Sequence, residues 1–369
     1  MKIAQLLPSL DVGGMERLVI ALARQQQTEG HHPIIYCMNH GGAMCASTVA
    51  EGIPVVEFAK GPGFSWSFVR RLAAQLRADR PDVLHTHNAL VHHYGVIAAR
   101  FADIPVVVNT RHGYGNLQWS AKREGLFNAA ARWTDAIVLV STGVQRYFVE
   151  QRRIAAESTH VILNGTDCSA FLKQRARPGS HRPAFRFGTV GRLAPPKSHV
   201  TLIRAFARVA AETPGAELHI LGEGECRPAI EAAIAEERLD GRVTLHGYSS
   251  DVAGFLSKLD VFVLSSISEG LPLAVLEAMG AGLPIVSTRL PGIVEVAPEN
   301  EIAWYCEPGD AMALADSMIA TARRSDLAAV GQAASEIARR YSISETWREY
   351  ESLFRRLYWN KYGEFAVAS

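Results

Sequence analysis

The chain has 369 residues and a formal net charge of +1. That length suits two α/β domains of ordinary size, and the near-neutral balance gives no global reason to expect nucleic acid as a partner. Nearly half of the residues are hydrophobic, yet no apolar run approaches the ~20 residues of a membrane-spanning helix.

Five scattered cysteines, with no Cys-x-x-Cys pair and an odd total, argue against a disulfide framework and against a Cys/His metal site. A reducing cytosol is the expected setting.

Lys2–Leu7 reads as a buried strand; it is too short, and too soon followed by Asp11 and Glu16, for a leader. A loop 8–14 leads into a helix over 15–29 with Leu18, Val19, Leu22 and Ala23 on one face. Strands are expected at 32–38 and 55–58. Residues 65–80 are amphipathic, with Phe68, Leu72 and Leu76 at helical spacing, and end at Pro81. The strand 83–87 is followed by a helix through 93–102, a strand 106–110, a helix 120–133, a strand 136–140, a helix 142–151 and a strand 160–163. Short connections between alternating strands and helices predict a doubly wound parallel sheet.

Residues 164–186 are polar, basic and rich in Pro and Gly, and read as a linker. The alternation then restarts. Strands are expected at 185–190, 216–221, 243–246, 261–264, 284–287 and 303–306. Helices are expected at 199–212, from about 226 to 238, at 252–256, from Pro272 to about Gly282, at 311–324 and at 327–341. A long helix, 344–362, carries Trp347, Tyr350, Leu353, Phe354 and Leu357 on one side. The fold class is therefore α/β with two Rossmann-like, doubly wound domains. Residues 1–168 form the first, 169–184 the linker, 185–343 the second, and 344–369 a terminal helix. Ligands of such sheets bind at the carboxyl ends of the strands, so the loops there are expected to converge on a cleft between the two halves.

One element concentrates the chemistry. The apolar run 260–264 precedes Ser266-Ile-Ser-Glu269-Gly270-Leu271-Pro272-Leu273, and a helix carrying Glu277 follows. The free amides at 270, 271 and 273 sit at the positive end of the helix dipole, where an anion such as a diphosphate is the natural occupant. The carboxylates of Glu269 and Glu277 would be repulsive there unless they accept from sugar hydroxyls. A second loop, Gly191-Arg192-Leu-Ala-Pro-Pro-Lys197, supplies two cations suited to phosphate after a glycine that permits close approach. A nucleotide-sugar is the ligand this pair of loops suggests.

The chain here resembles the retaining GT-B glycosyltransferases, the "glycosyl transferases group 1" family. The likeness rests on Gly191-Arg192-Leu193…Lys197, on the Glu-x7-Glu pair within Ser-x-x-Glu-Gly-Leu-Pro-Leu, and on 8–17, 81–87, Asn164-Gly165-Thr166-Asp167, 221–224 and the terminal helix. The resemblance implies that Arg192 and Lys197 hold the donor diphosphate and stabilise the leaving nucleotide. It implies that Glu277 accepts from the ribose and that Glu269 contacts the donor sugar beside the amides of Gly270, Leu271 and Leu273, with Pro272 in the same donor-binding loop. Gly13, Gly14, Gly191 and Gly222 match donor-binding loops, and His112 matches a histidine near the anomeric centre. It also implies that the terminal helix crosses back to the first domain, that the anomeric configuration is retained, and that the domains close on the donor about 164–186 and 342–344.

Other residues keep two readings. His85 and His87 could be a metal pair or structural and acceptor-cleft groups, and no third ligand is evident. His92 and His93 read as surface or cleft-lining groups. Asp11 could be an acceptor-side base or a loop cap. Glu277 could instead face solvent. No Asp-x-Asp spacing is available to hold a metal on a diphosphate, so transfer without metal or other cofactor is expected. Residues 1–168 carry 16 Lys+Arg against 13 Asp+Glu, a net of +3, and the last 18 residues carry 3 against 1, while 169–351 carry 19 against 23, a net of −4. A basic acceptor half favours a glycan or lipid-linked sugar acceptor and an anionic membrane surface. Arg70, Arg71, Arg77 and Arg80 either dock on that surface or form the solvated face of a packed helix. The expectation is a retaining hexosyltransferase, UDP-sugar favoured over GDP-mannose, in polysaccharide or glycolipid synthesis such as lipopolysaccharide or capsule. It would be cytoplasmic, at most peripheral to the inner membrane face. A GT-B nucleotide-sugar epimerase or hydrolase, and a non-catalytic partner subunit, are the rivals.

Overall fold

The computed structural model describes residues 1–115, 121–152, 154–173 and 184–363. It divides into two compact units, Met1–Gly165 with Ile343–Ser369, and Thr166–Ser342.

The first unit is built on seven parallel strands: β1 (Lys2–Leu7), β2 (His32–Cys37), β3 (Val55–Glu57), β4 (Val83–His87), β5 (Val106–Arg111), β6 (Ala136–Leu139) and β7 (Thr159–Val161). Their order is β3-β2-β1-β4-β5-β6-β7. The central strands are buried on both faces; β4 and β5 open on apolar residues and end in the polar but buried His85-Thr86-His87 and Asn109-Thr110-Arg111. Helices Gly14–Thr28, Trp66–Asp79 and Asn88–Phe101 bury their apolar stripes on this sheet. In Trp66–Asp79, Phe68, Leu72 and Leu76 are all 0% exposed, and Ser65 caps the helix by accepting from the Phe68 amide. The apolar face of this segment thus belongs to the core, and its arginines lie outside.

The terminal helix, Ile343–Tyr362, belongs to this unit and packs on helix Gly14–Thr28 and on β5. Trp347 and Phe354 are fully buried, and the Trp347 indole N–H donates to Glu29 Oε2 at 3.1 Å.

The second unit repeats the plan with six parallel strands: β8 (Phe185–Val190), β9 (Ala216–Leu221), β10 (Val243–Leu245), β11 (Val261–Leu264), β12 (Ile285–Thr288) and β13 (Ala303–Cys306). Their order is β10-β9-β8-β11-β12-β13. Its core is Phe187, Leu202, Phe206, Leu218, Ile220, Val263, Leu314 and Met318, all 0% exposed. Both sheets thus change winding direction between their first and fourth strands, at β1/β4 and at β8/β11. Those are the switch points where crevices open beyond the strand ends.

Three local expectations need correction. Residues 168–173, expected as linker, form a helix in the second unit that packs on Leu273–Gly280; residues 174–183 lie outside the described residues. The chain passes between units at Gly165–Thr166 and Ser342–Ile343, and the two passages are paired, Thr166 N–H donating to Tyr341 O at 3.0 Å. The helix expected from His93 begins at Asn88, and a short helix, Cys45–Ala50, too brief to show a period, was not foreseen.

Candidate functional site

In the second unit, the loops after β8 and β11 meet at the switch point. Ile267 N–H donates to Pro196 O at 2.8 Å, and Ser265 Oγ donates to Lys197 O at 2.9 Å. From β12, Thr288 Oγ1 donates to Ser266 O at 2.6 Å. These bonds fix two side chains against each other: Lys197 Nζ lies 2.6 Å from Glu269 Oε1, and Ser266 Oγ donates to the same oxygen at 2.7 Å. The pair is largely sheltered, with side chains 20% and 14% exposed.

Gly270, Leu271 and Pro272 follow Glu269, buried, and the helix Leu273–Gly280 starts with Pro272 at its N-cap. Proline has no N–H and no side-chain cap is present; Val275 N–H donates to Pro272 O at 3.1 Å, and the amides of Leu273 and Ala274 precede it at the helix start. They form the positive end of a helix beside the lysine. The helix ends at Gly280 rather than Gly282. Glu277, within it, is 0% exposed, which rules out the solvent-facing reading.

Arg192 is unlike Lys197. Its side chain is 64% exposed and stands 3.6 Å from Glu225 Oε1, a loose, solvated contact. A Cβ at Gly191 would meet Lys197 Cε at 3.4 Å, an ordinary contact. Gly222 is different: at φ +151° a Cβ would fall 1.9 Å from Gly191 O. Glycine is needed there so that the β8 and β9 loops can touch, a reason internal to the protein.

In the first unit, Gly13 is the extended N-cap of helix Gly14–Thr28, and Gly14 opens that helix with nothing near the place of a Cβ. The Glu16 carboxylate reaches back over this end, 2.2 Å from where a Gly13 Cβ would sit.

His112 follows β5, half-buried. Its backbone N–H donates to Asn88 Oδ1 at 3.1 Å, and its ring Nε2 lies 3.0 Å from His87 Nδ1. Burial, aided by Arg111, lowers its pKa to about 3, so the ring is neutral. His87 Nε2 lies 2.8 Å from Gln5 Oε1, and His85 Nε2 lies 2.7 Å from Thr110 Oγ1, which meets Tyr350 Oη at 2.8 Å. These bonds assign His85 and His87 to a buried hydrogen-bond network, and no group of three metal-ligating side chains occurs among the described residues. His92 corrects its surface reading: it is 0% exposed and bridges Thr86 and Thr134. His93 is half-buried against Tyr94. Asp11 accepts from Ser9 Oγ at 2.6 Å within its own loop, as a cap does.

Sequence reading passed over Ser266, Gln5 and Asn88 as site-building residues. Gln5 did carry a signal, a polar residue amid the apolar run of β1, since a buried amide needs partners.

Two parallel sheets, each reversing its winding at a switch point, define an α/β protein of the GT-B class. Residues 184–324 match the Glycosyl transferases group 1 family and residues 12–170 match Glycosyltransferase Family 4; the chain carries both domains and belongs to these glycosyltransferases. It is similar to the UDP-Gal:alpha-D-GlcNAc-diphosphoundecaprenol alpha-1,3-galactosyltransferase of Escherichia coli, 30% identical over 233 residues, which are 59% of this chain and 60% of that protein's length. It is 25% identical to a glycogen synthase of Mycobacterium tuberculosis over 344 residues, 84% of this chain and 82% of the relative. Among solved structures, Anabaena Alr3699/HepE in complex with UDP and glucose has a TM-score of 0.85 at 22% identity, covering 96% of this chain and 99% of that one. At that identity the likeness speaks to the fold.

Proposed function

We propose that this chain moves a hexose from a nucleotide-diphosphate sugar, UDP-linked rather than GDP-linked, to a glycan or lipid-linked acceptor, with retention of configuration and without a metal ion. The reading rests on the Lys197–Glu269 pair at the start of helix Leu273–Gly280, within the β8/β11 switch point. A cation and helix amides suit a diphosphate, and a carboxylate one residue before a buried loop suits a sugar hydroxyl.

In this reading Lys197 and Arg192 stabilise charge on the departing diphosphate. Glu269 accepts from the donor sugar and Glu277 from the ribose. His112 contacts a sugar hydroxyl, and Gly13 and Gly14 approach phosphate. A leaving-phosphate oxygen takes the proton of the acceptor hydroxyl on the face where the new bond forms. The UDP-Gal donor named for the Escherichia coli relative and the UDP and glucose bound by the Anabaena protein support the choice of base. Bacterial polysaccharide or glycolipid assembly is the setting.

The test is thermal unfolding against a panel of nucleotide-sugars, followed by transfer assays with and without EDTA. A true donor at 100 times its dissociation constant adds about 2.7 kcal/mol. A UDP-hexose is expected to give that shift; no shift from any nucleotide-sugar refutes the reading, and donor turnover at equal rate without acceptor favours a hydrolase.

For a lipid-linked acceptor we place the protein at an anionic membrane face. Arg70 and Arg71 are exposed on helix Trp66–Asp79, next to Phe64 and Trp66, which are 55% and 56% exposed. No described helix is long and apolar enough to cross a membrane. Flotation with anionic liposomes at low salt checks this, and protein that stays at the bottom of the gradient sinks it.

A further inference from the structure

The first unit holds two glutamines and two histidines in one hydrogen-bonded line, Gln26–Gln5–His87–His112, and only its His112 end is available to a ligand. Gln5 is 0% exposed in the middle of β1. Its Nε2 lies 3.3 Å from Gln26 Oε1, to which it donates, so its Oε1 is the atom turned to His87. A carbonyl oxygen can only accept. His87 Nε2, 2.8 Å away, must therefore carry the ring proton.

His87 is 0% exposed, and burial, with His85 and His112 beside it, holds its pKa well below the ordinary value. A neutral imidazole has one N–H. With that proton on Nε2, His87 Nδ1 is a bare lone pair. The atom 3.0 Å from it is His112 Nε2, which must then donate. His112 is neutral for the same reason, so its remaining nitrogen, Nδ1, is bare as well. The rings stack at 5.3 Å with their planes 29° apart, and Asn88 Oδ1 holds the His112 backbone, so the ring is fixed in place as well as in tautomer.

We infer that Gln5 and His87 are positioning residues that lock His112 as a hydrogen-bond acceptor, so that the group it meets is a hydroxyl donor, such as a sugar hydroxyl, and not a phosphate or carboxylate oxygen. An anionic oxygen facing Nδ1 would set lone pair against lone pair. Protonating His112 to relieve this would place a cation beside Arg111 in a desolvated site. Taking a proton would make that cation, so His112 does not serve as the general base, and the acceptor's proton leaves by another route. The hydroxyl assignment rests on the proposed sugar-contact role of His112; the tautomer stands on the protein alone.

The test uses the full chain labelled with 15N-histidine. Long-range 1H–15N correlation at neutral pH reports which ring nitrogen carries the proton. His87 and His112 are both expected with the proton on Nε2, and a proton on His112 Nδ1 overturns the inference without any variant. Gln5→Leu removes the acceptor and is expected to give mixed tautomers at His112 and a transfer rate lowered roughly 10–100-fold, with UDP affinity unchanged. A Gln5→Leu protein with the wild-type His112 tautomer and rate overturns the positioning role. The expected tautomer together with a His112→Ala protein of unchanged donor KM and kcat overturns the hydroxyl contact alone, and leaves the donor site of the second unit to be judged by its own variants.

Discussion

Lys197 and Glu269 stand 2.6 Å apart, the shortest route by which the β8 and β11 loops hold each other through side chains, and Ser266 donates to the same carboxylate oxygen. The cation expected on a diphosphate is thus already satisfied before any ligand arrives. In the proposed reading, an incoming diphosphate competes with Glu269 for the ammonium, the donor sugar's hydroxyl offers Glu269 a partner in exchange, and the two halves of a nucleotide-sugar would suit the site together better than either would alone.

Glu269→Gln separates these contributions. It relieves the competition, so UDP alone is expected to bind at least as tightly as to wild type by calorimetry. Transfer from the UDP-sugar is expected to fall roughly 100-fold, the scale for losing one preorganised polar contact at a reacting centre. Lys197→Met is expected to lose both. A Glu269→Gln protein that binds UDP ten times more weakly would show that the pair does not compete with phosphate.

The glycines divide by physical cause. Ala at Gly222 sets a methyl 1.9 Å from Gly191 O at a φ of +151°, so Gly222→Ala is expected to cost about 2 kcal/mol or more in urea unfolding. Gly14 opens a helix with free space around it, and Gly14→Ala is expected to be neutral or stabilising by up to about 1 kcal/mol. Lower donor affinity in Gly14→Ala, at undiminished stability, would then report ligand approach to that backbone. Equal affinity would remove Gly14 from the site.

Much of this was legible in the sequence. Short strands that alternate with helices announce themselves by their apolar residues, so β1, β4, β8, β9 and β11 fall at their expected residues. Loop chemistry was legible where residue type and helix position agree, as at Lys197, Glu269 and the start of Leu273–Gly280. What was not legible is pairing across the fold. Nothing in a strand ending His85-Thr86-His87 says that its second histidine meets a residue 25 positions later and another 82 positions earlier. Glycine types were legible, but their reasons were not: Gly222 looked like a ligand loop, and its φ and its neighbour are what explain it. The polar stretch after Cys168 misled because Phe171, one buried anchor, is enough to seat a short helix.

The buried histidines set an acid limit on the first unit. His85 and His92 are 1% and 0% exposed, and burial lowers each pKa from its ordinary 6.5 to about 3. Below pH 6.5 the unfolded chain takes up a proton at each and the folded chain does not, so stability falls with falling pH through the window from about 6.5 to about 3. Each contributes a slope of about 1.4 kcal/mol per pH unit. Urea unfolding is expected to give a stability several kcal/mol lower at about pH 5 than at about pH 7.5, and His92→Gln is expected to flatten the slope by about one proton. Equal stability at the two pH values would refute the buried, neutral state.

The terminal helix is expected to be part of the first unit's core and not an appendage. Trp347 is 0% exposed, packs edge-on to His31 at 5.2 Å and donates to Glu29. Tyr350 Oη meets Thr110 Oγ1, and Phe354 packs on His85 at 5.6 Å, so this helix closes the apolar side of the histidine cluster. Removing it would expose His85 to water along with the apolar partners of three aromatic rings. Trp347→Ala alone is expected to cost about 3–5 kcal/mol, a large share of the about 5–15 kcal/mol of a typical domain. A chain ending at Ser342 is expected to keep residues 184–342 resistant to limited proteolysis while 1–165 is cut, because the second unit's core, centred on Phe187, Phe206 and Val263, draws nothing from that helix. Protection of 1–165 in the shortened chain would show that the sheet supports its histidine cluster unaided.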